Sequence, residues 1–496
     1  MAKDNNEFVY GAQYIPSGES KSRVIRWNFG GLNLTSDIDT GQLTGASGVI
    51  VDPSEIKAAL KQKEYKTYSE PISIHGFGDA LLVIYRSGGK IKADYIKPGN
   101  IKYTGEIGTA KGTVEDFTER YAVQFNVASN TENIAASTYV RKILIYPDRV
   151  SMDLNITSNF QTASLGETYP PIKYASVYCS RLFGVNDDLV YASSFNNYAD
   201  FDLDTADESS SANAWVSMSQ SNVKADGKFT AIATYANHVV LFKKDFMQLV
   251  YNNKNPFRIV DVGSYGCDNP YALTECGGVL YFASGESVYS FTGGTPKKIN
   301  GELGRLNLDG AVFGSYKDRV YMQISDGLYT YKSGVWSKLN SDNNVKQFAT
   351  TSWGIVALCK DGKIRIIDYD EDAFNNAGGN ADNELGGKEY ESDWWFETDF
   401  FAAGRIDVRR IKKVSILCDI ASGASVRAYL MRPEDKYTTT TKAVLESSVG
   451  GRRLMRRMIR MTSCYMHKMR IAGSGDVKIL AIELLLSWGG DVFKNE

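Results

Sequence analysis

Short apolar runs joined by polar, glycine-containing turns recur along the middle of the chain. DALLVIYRSGGKIKADYI (Asp79 to Ile96) reads as strand, Ser-Gly-Gly turn, strand. SRLFGVNDDLVYASSFNNYADF (Ser180 to Phe201) repeats the pattern and ends in a loop with two aromatics, Phe195 and Tyr198. NHVVLFKKDFMQLVYN, GGVLYFASGESVYSFTGG, DRVYMQISDGLYTYKSG and WGIVALCKDGKIRIIDYD follow, starting at Asn237, Gly277, Asp318 and Trp353. Glycine supplies the positive φ that tight hairpin turns require. These last four copies start about 35–40 residues apart, the spacing of a four-stranded propeller blade. An isolated hairpin is marginal in water, but radial stacking lets each copy cover its neighbour's apolar face. The pattern predicts a β-propeller in which each repeat is an inner hairpin; a β-sandwich built of similar hairpins is the alternative.

The remaining segments deviate from this rhythm. Residues 103–169 contain strand-like runs such as RKILIYPDRVSMDLNI, which suit either a blade or a separate insertion. Pro53 to Lys63 is the one helical pattern, with Ser54 as cap and Ile56, Ala59 and Leu60 on one face. From Asp368 to Asp393 the chain turns acidic and rich in Gly and Asn, as a linker or long surface loop does. Strands then resume in DWWFETDFFAAG, IKKVSILCDIA, SVRAYLMR and VKILAIELLLSWGG, predicting a jelly-roll-like sandwich. The expected fold class is therefore all-β. A short N-terminal arm spans 1–50, a propeller 51–370, an acidic linker 371–394 and a C-terminal β-sandwich 395–496.

Composition narrows the chemistry. The 496 residues carry a net charge of −2, so no global basic field points to nucleic acid or anionic membrane. Six cysteines form no C-x-x-C pair, which suits free, mostly buried thiols and cytosolic folding. The polar N-terminus lacks a signal-peptide core, and Ile479 to Trp488 is too short to span a bilayer. The three histidines, His75, His238 and His467, lie in different expected domains, leaving few members for a metal site or triad. Asp368, Asp370 and Asp372 mimic the start of a calcium loop, but Ala373 and Gly379 occupy its decisive positions; Asp200, Asp202 and Asp204 make the same false start. No catalytic residue, metal or cofactor is expected. The sharpest charge feature is GGRRLMRRMIRMTSCYMHKMRIAG. Arg452, Arg453, Arg456, Arg457, Arg460, Lys468 and Arg470 crowd there with no acid between Ser447 and Gly475. The strip reads as a contact for phosphates or an acidic protein neighbour, or as a solvated strand face. Tyr465 is its only aromatic residue, which disfavours base stacking and sequence-specific nucleic-acid recognition.

Several segments together resemble the nozzle or tail-accessory proteins of short-tailed bacteriophages, including the packaged-DNA-stabilisation type. These are WNFGGLNL (Trp27 to Leu34), RLFGVNDDLVYASS, the long run from Phe229 to Gly294, WWFETDF with KKVSIL, and MRIAGSGDVKILAIEL. The ordered set covers most of the chain. It departs from the family at GASGVIVDPSEIKAALKQKEY, where an N-V-[DE] and Arg-Pro-Gly-like stretch would be usual. The resemblance implies a virion structural protein assembled in the host cytoplasm, not an enzyme. Copies would form a ring, a hexamer, below the portal and adaptor proteins. The ring would extend the DNA channel without sequence specificity, help retain the genome and hold tail fibre or tip proteins. Residues 1–50 would supply ring contacts, and the arginine strip would meet a subunit or DNA. Rival readings are a host-surface glycan-binding propeller adhesin, with Trp215 or Tyr198 stacking on sugars, and a propeller glycoside hydrolase.

Overall fold

A computed structural model describes residues 12–16, 22–27, 29–35, 42–110, 114–127, 140–203, 213–217, 227–236, 238–252, 254–398, 409–432, 435–459 and 467–488. Among these residues seven consecutive sheets, antiparallel except where Phe160–Gln161 joins the edge of the first in parallel, form a seven-bladed propeller: blade 1 (71–106), blade 2 (121–164), blade 3 (174–216), blade 4 (229–263), blade 5 (273–298), blade 6 (312–340) and blade 7 (345–369). The repeated hairpins are the second and third strands of each blade, such as Arg319–Ile324 with Gly327–Lys332, rather than the inner pair expected. In blade 1 the turn between Ala80–Ser87 and Lys90–Lys97 places both Gly88 (φ 61°) and Gly89 (φ 73°) in the left-handed region. That is hairpin-turn geometry a side chain resists.

The middle strands are apolar at nearly every position because both faces are covered. Leu81 and Val83 pack with Val356 and Leu358 of blade 7, while Leu82 and Ile84 pack with Ile143 and Ile145 of blade 2. Alternate side chains of one strand thus serve two neighbours. The same division continues around the ring, with Phe183 and Leu241 between blades 3 and 4, and Tyr321 and Ala357 between blades 6 and 7. Residues 103–169 are no insertion: they supply the outer strand of blade 1 and all of blade 2. The ring closes on a segment from before blade 1. Lys63–Thr67 is the outermost strand of blade 7, paired with Lys363–Tyr369.

The sandwich is built from both ends of the chain. Its seven-stranded sheet runs Ala12–Pro16, Ser22–Trp27, Val477–Trp488, Arg409–Ile420, Gly451–Met458, with Glu55–Ala58 also paired to Val477–Trp488 and Val49–Asp52 beyond it. Its six-stranded sheet contains Gly31–Leu32, Gln42–Ser47, Trp394–Thr398, Lys468–Ser474, Ser425–Met431 and Leu445–Ser447. The expected arm therefore contributes strands to the sandwich, and the propeller interrupts that domain. The expected helix at 53–63 is a hairpin instead. Ile56 and Ala58 alternate inward, and Ile56 stands opposite Ile479, so sheet pairing overrides the helical spacing.

The two domains share one core at blade 6. Trp336 is fully buried and its indole donates to the Ile299 carbonyl at 2.8 Å. The Gly48 amide donates to Leu339 O at 2.9 Å, and the Val51 amide to Ser337 Oγ at 2.9 Å. The acidic stretch after blade 7 forms two short helices, α1 (Glu371–Asn376) and α2 (Ala381–Leu385). Asp370 caps α1, and buried Phe374 meets Trp353 edge-on at 5.2 Å between ring centroids. This segment is a packed cover over the seam between blades 7 and 1, not a free linker.

Candidate functional site

The arginine-rich segment divides between two sheets. Arg452, Arg453, Arg456 and Arg457 lie on Gly451–Met458, at an edge of the seven-stranded sheet, where its one strand partner among the described residues is Arg409–Ile420. Met455 turns into the sandwich core, so strand alternation sends Arg452, Leu454, Arg456 and Met458 outward. Leu454 is 47% exposed and Met458 68% exposed. Arg452 makes a two-point bond to Asp419, both contacts at 3.0 Å, which holds that carboxyl below its ordinary range. Arg453 and Arg457 donate to the Gly450 and Val444 carbonyls at 3.2 and 3.1 Å. Among the described residues, Arg453, Arg456 and Arg457 have no carboxylate at ion-pair distance. Arg460 falls outside the described residues.

Lys468 and Arg470 belong to the other sheet, where both bind Glu397, Arg470 at 2.6 Å. Burial works against the Glu397 carboxylate, and the bonds from Lys468 and Arg470 outweigh it, holding its pKa down. The Arg470 guanidinium is stacked between Trp395 (4.0 Å) and Tyr437 (4.1 Å). These two cations are therefore structural partners of an acid in WWFETDF, not a continuation of the edge strip. Beside them Trp395, Tyr437, Arg427 and Asp393 line a cleft of about 320 Å³.

A second polar cluster sits at one mouth of the propeller axis. The Tyr271 hydroxyl, just before blade 5, donates to the Arg120 carbonyl just before blade 2, at 3.3 Å. Blades 2 and 5 stand across the ring from each other, so this side chain spans the axis and obstructs it there. His75 lies buried alongside, its Nε2 3.2 Å from both Ser73 Oγ and Arg120 O. Burial pushes the His75 pKa down to about 4, the Arg120 bond opposing. An unfolded histidine takes up its proton near pH 6.5. Between pH 6.5 and 4 the unfolded chain thus binds more protons, so this stability is complete above about pH 6.5 and lost on acidification. Melting curves from pH 7.5 to 4.5 are expected to show a decline of up to about 3 kcal/mol from this group, and His75→Gln to flatten that part of the slope.

The other candidate features are structural. Asp368 accepts from the Tyr321 hydroxyl at 2.7 Å, and Asp370 binds Lys317 at 2.6 Å while capping α1. His238 packs at a tilt against Tyr251 with 4.3 Å between ring centroids, in another blade from His75. Trp215 packs on Phe257 and Tyr198 on Phe125, and both residues are half-buried. Among the described residues no three His, Cys, Asp or Glu side chains gather as a metal site.

No protein-family model matches the chain. No curated protein matches it either. Among solved structures, the chain is similar to the extracellular domain of a one-component system from B. thetaiotaomicron. There the identity is 11%, over 70% of this chain and 46% of that one, with a TM-score of 0.37; the match spans less than half of that domain. It is also similar to the WD40 domain of Toxoplasma gondii coronin, at 11% identity over 65% and 87% of the two chains, with a TM-score of 0.34. A glycoside hydrolase family 43 arabinoxylan arabinofuranohydrolase from Bacillus subtilis aligns at 9% identity over 89% and 95%, with a TM-score of 0.18. At such identities and scores none of these likenesses carries any chemistry to this chain.

Proposed function

We propose that the chain is a structural component of a short-tailed phage tail, forming a closed ring below the portal and adaptor. The carrying observation is the sheet edge at Gly451–Met458, where Arg456 stands between exposed Leu454 and Met458 on one face and Arg453 and Arg457 on the other, all three without a carboxylate partner among the described residues. A cationic, partly apolar strand edge is a ready contact for another chain. Head-to-tail contacts of this kind give rings when the rotation closes. The DNA channel would then lie between copies, since Tyr271 spans the axis of each propeller. Tail fibre or tip proteins would attach to the outward propeller. The order of the sequence elements resembling nozzle proteins supports the same reading.

Native mass spectrometry of the purified protein tests it. The wild type is expected as a ring, and the double variant Arg456→Glu/Arg457→Glu as a monomer. Its melting temperature should stay close to wild type, because exposed substitutions away from packed features change stability by only about 0.5 kcal/mol. A reversed-charge protein that still forms the ring would exclude the contact role.

A second reading, glycan binding, is favoured by the cleft at Trp395, Tyr437 and Arg427, which offers aromatic edges, hydroxyls and charge together. A glycan array giving a ligand that is lost in Arg427→Ala, with no ring in solution, would select it over the first.

A further inference from the structure

A crevice of about 220 Å³ opens where the sandwich meets blades 6 and 7. Four cations line it: Lys57 and Lys478 from the sandwich, Arg319 from blade 6, and Lys388 from beyond α2. Lys57 and Lys478 are direct cross-strand partners in one sheet. Like charges in that position repel, and nothing in the fold of the strands requires lysine at both. Arg319 is pressed into the same crevice with its side chain 7% exposed. Its Nη2 donates to Asp52 Oδ1 at 2.9 Å, while its buried Nη1 has no hydrogen-bond partner among the described residues. Buried guanidinium groups are ordinarily satisfied, so Arg319 keeps one donor without an acceptor behind the crevice wall.

Three of the nearby carboxylates are already engaged. Asp52 is shared by Arg319, Lys57 at 3.5 Å and Lys332 at 4.0 Å. Asp368, on the wall, accepts from Tyr321. Asp419 stands opposite Lys478 in the sheet but is gripped at two points by Arg452. The lining itself holds four cations and one carboxylate, Asp368, with Asp476 and Glu371 acting on Tyr390 at its wall.

We propose that this crevice binds a phosphate-type oxyanion. The ammonium groups of Lys57, Lys388 and Lys478, with the Arg319 charge behind them, suit a compact, multiply charged acceptor. The bound ion would bridge strands of the sandwich to blade 6, locking the two domains together. The proposal is independent of the ring reading, because none of these residues lies on the outward face of the edge strand.

Isothermal titration of the full chain with inorganic phosphate, against chloride at equal ionic strength, tests it alongside thermal melting. Saturable binding and a rise in melting temperature specific to phosphate are expected. Lys388→Ala/Lys478→Ala is expected to weaken binding at least tenfold while melting normally in chloride; Arg319 is left intact because its pair with Asp52 is buried. Absence of phosphate-specific heat and stabilisation, or unchanged affinity in the double variant, would overturn the site. A short single-stranded oligonucleotide that displaces phosphate would identify a nucleic-acid backbone as the source of the group; failure to displace it would identify the free ion.

Discussion

Arg120→Met is expected to destabilise the protein by about 3–5 kcal/mol, the usual cost of stranding one member of a buried ion pair. Arg120 and Asp148 are 0% and 1% exposed, with Nε to Oδ2 at 3.0 Å. The same guanidinium donates to the Glu115 carbonyl at 2.9 Å and to that of Thr118, so it fastens the loop leading into blade 2. Without it, Asp148 faces a low-dielectric interior alone and two or more carbonyls lose their donor. Arg120→Met/Asp148→Leu should recover part of the loss, since a matched apolar pair avoids the stranded charge. The recovery stays incomplete because the carbonyls remain unpaired. Chemical unfolding, with hydrogen exchange in 121–127 as a local probe, reads both effects. A single variant that unfolds like wild type would show that the pair contributes nothing net.

Gly76→Ala is expected to cost about 3 kcal/mol, at the upper end for overpacking, by prising blade 1 from blade 7. A Cβ at Gly76 would fall inside contact distance of the Thr350 backbone, which has no flexible end to move aside. This seam closes the ring. Gln347 receives the Ile74 amide at 3.1 Å and returns a bond to the Ile74 carbonyl, and the Trp353 indole donates to Asp79 O at 2.9 Å. Gly294→Ala is the control, because nothing lies within 4 Å of its built Cβ. It should change the melting temperature little. Limited proteolysis is expected to cut the Gly76 variant first near the Lys63–Thr67 strand, whose place in blade 7 depends on that closure. Equal resistance in both variants would contradict this account of ring closure.

The candidate sites were unequally legible. The arginines of Gly451–Met458 were visible as a charge run, and their exposure follows from a strand lying at a sheet edge. Lys468 and Arg470 looked like members of the same run because they are close in sequence. Strand alternation between two sheets separates them and gives them to Glu397, more than 70 residues earlier in the chain. The crevice cations had no sequence signal. Lys57, Arg319, Lys388 and Lys478 come from four separate segments, and only cross-strand register and domain packing bring them together.

By itself the sequence determined that this is a β protein with a propeller at its centre. Glycine turns and two-sided apolar strands are local signals, and their repetition reports a radial stack. Blade 2 was left open between a blade and an insertion because residues 128–139 lie between its first and second strands, which in the other blades are joined by a short turn. Tertiary structure alone decided the rest. Residues 53–63 carry a helical spacing, but Glu55–Ala58 becomes a strand because Ile56 finds Ile479. The N-terminal strands join a sandwich completed more than 400 residues later, and Lys63–Thr67 closes a blade that otherwise ends the propeller. Each of these depends on contacts between residues distant in the chain, whose energy exceeds local preference and leaves no periodic trace.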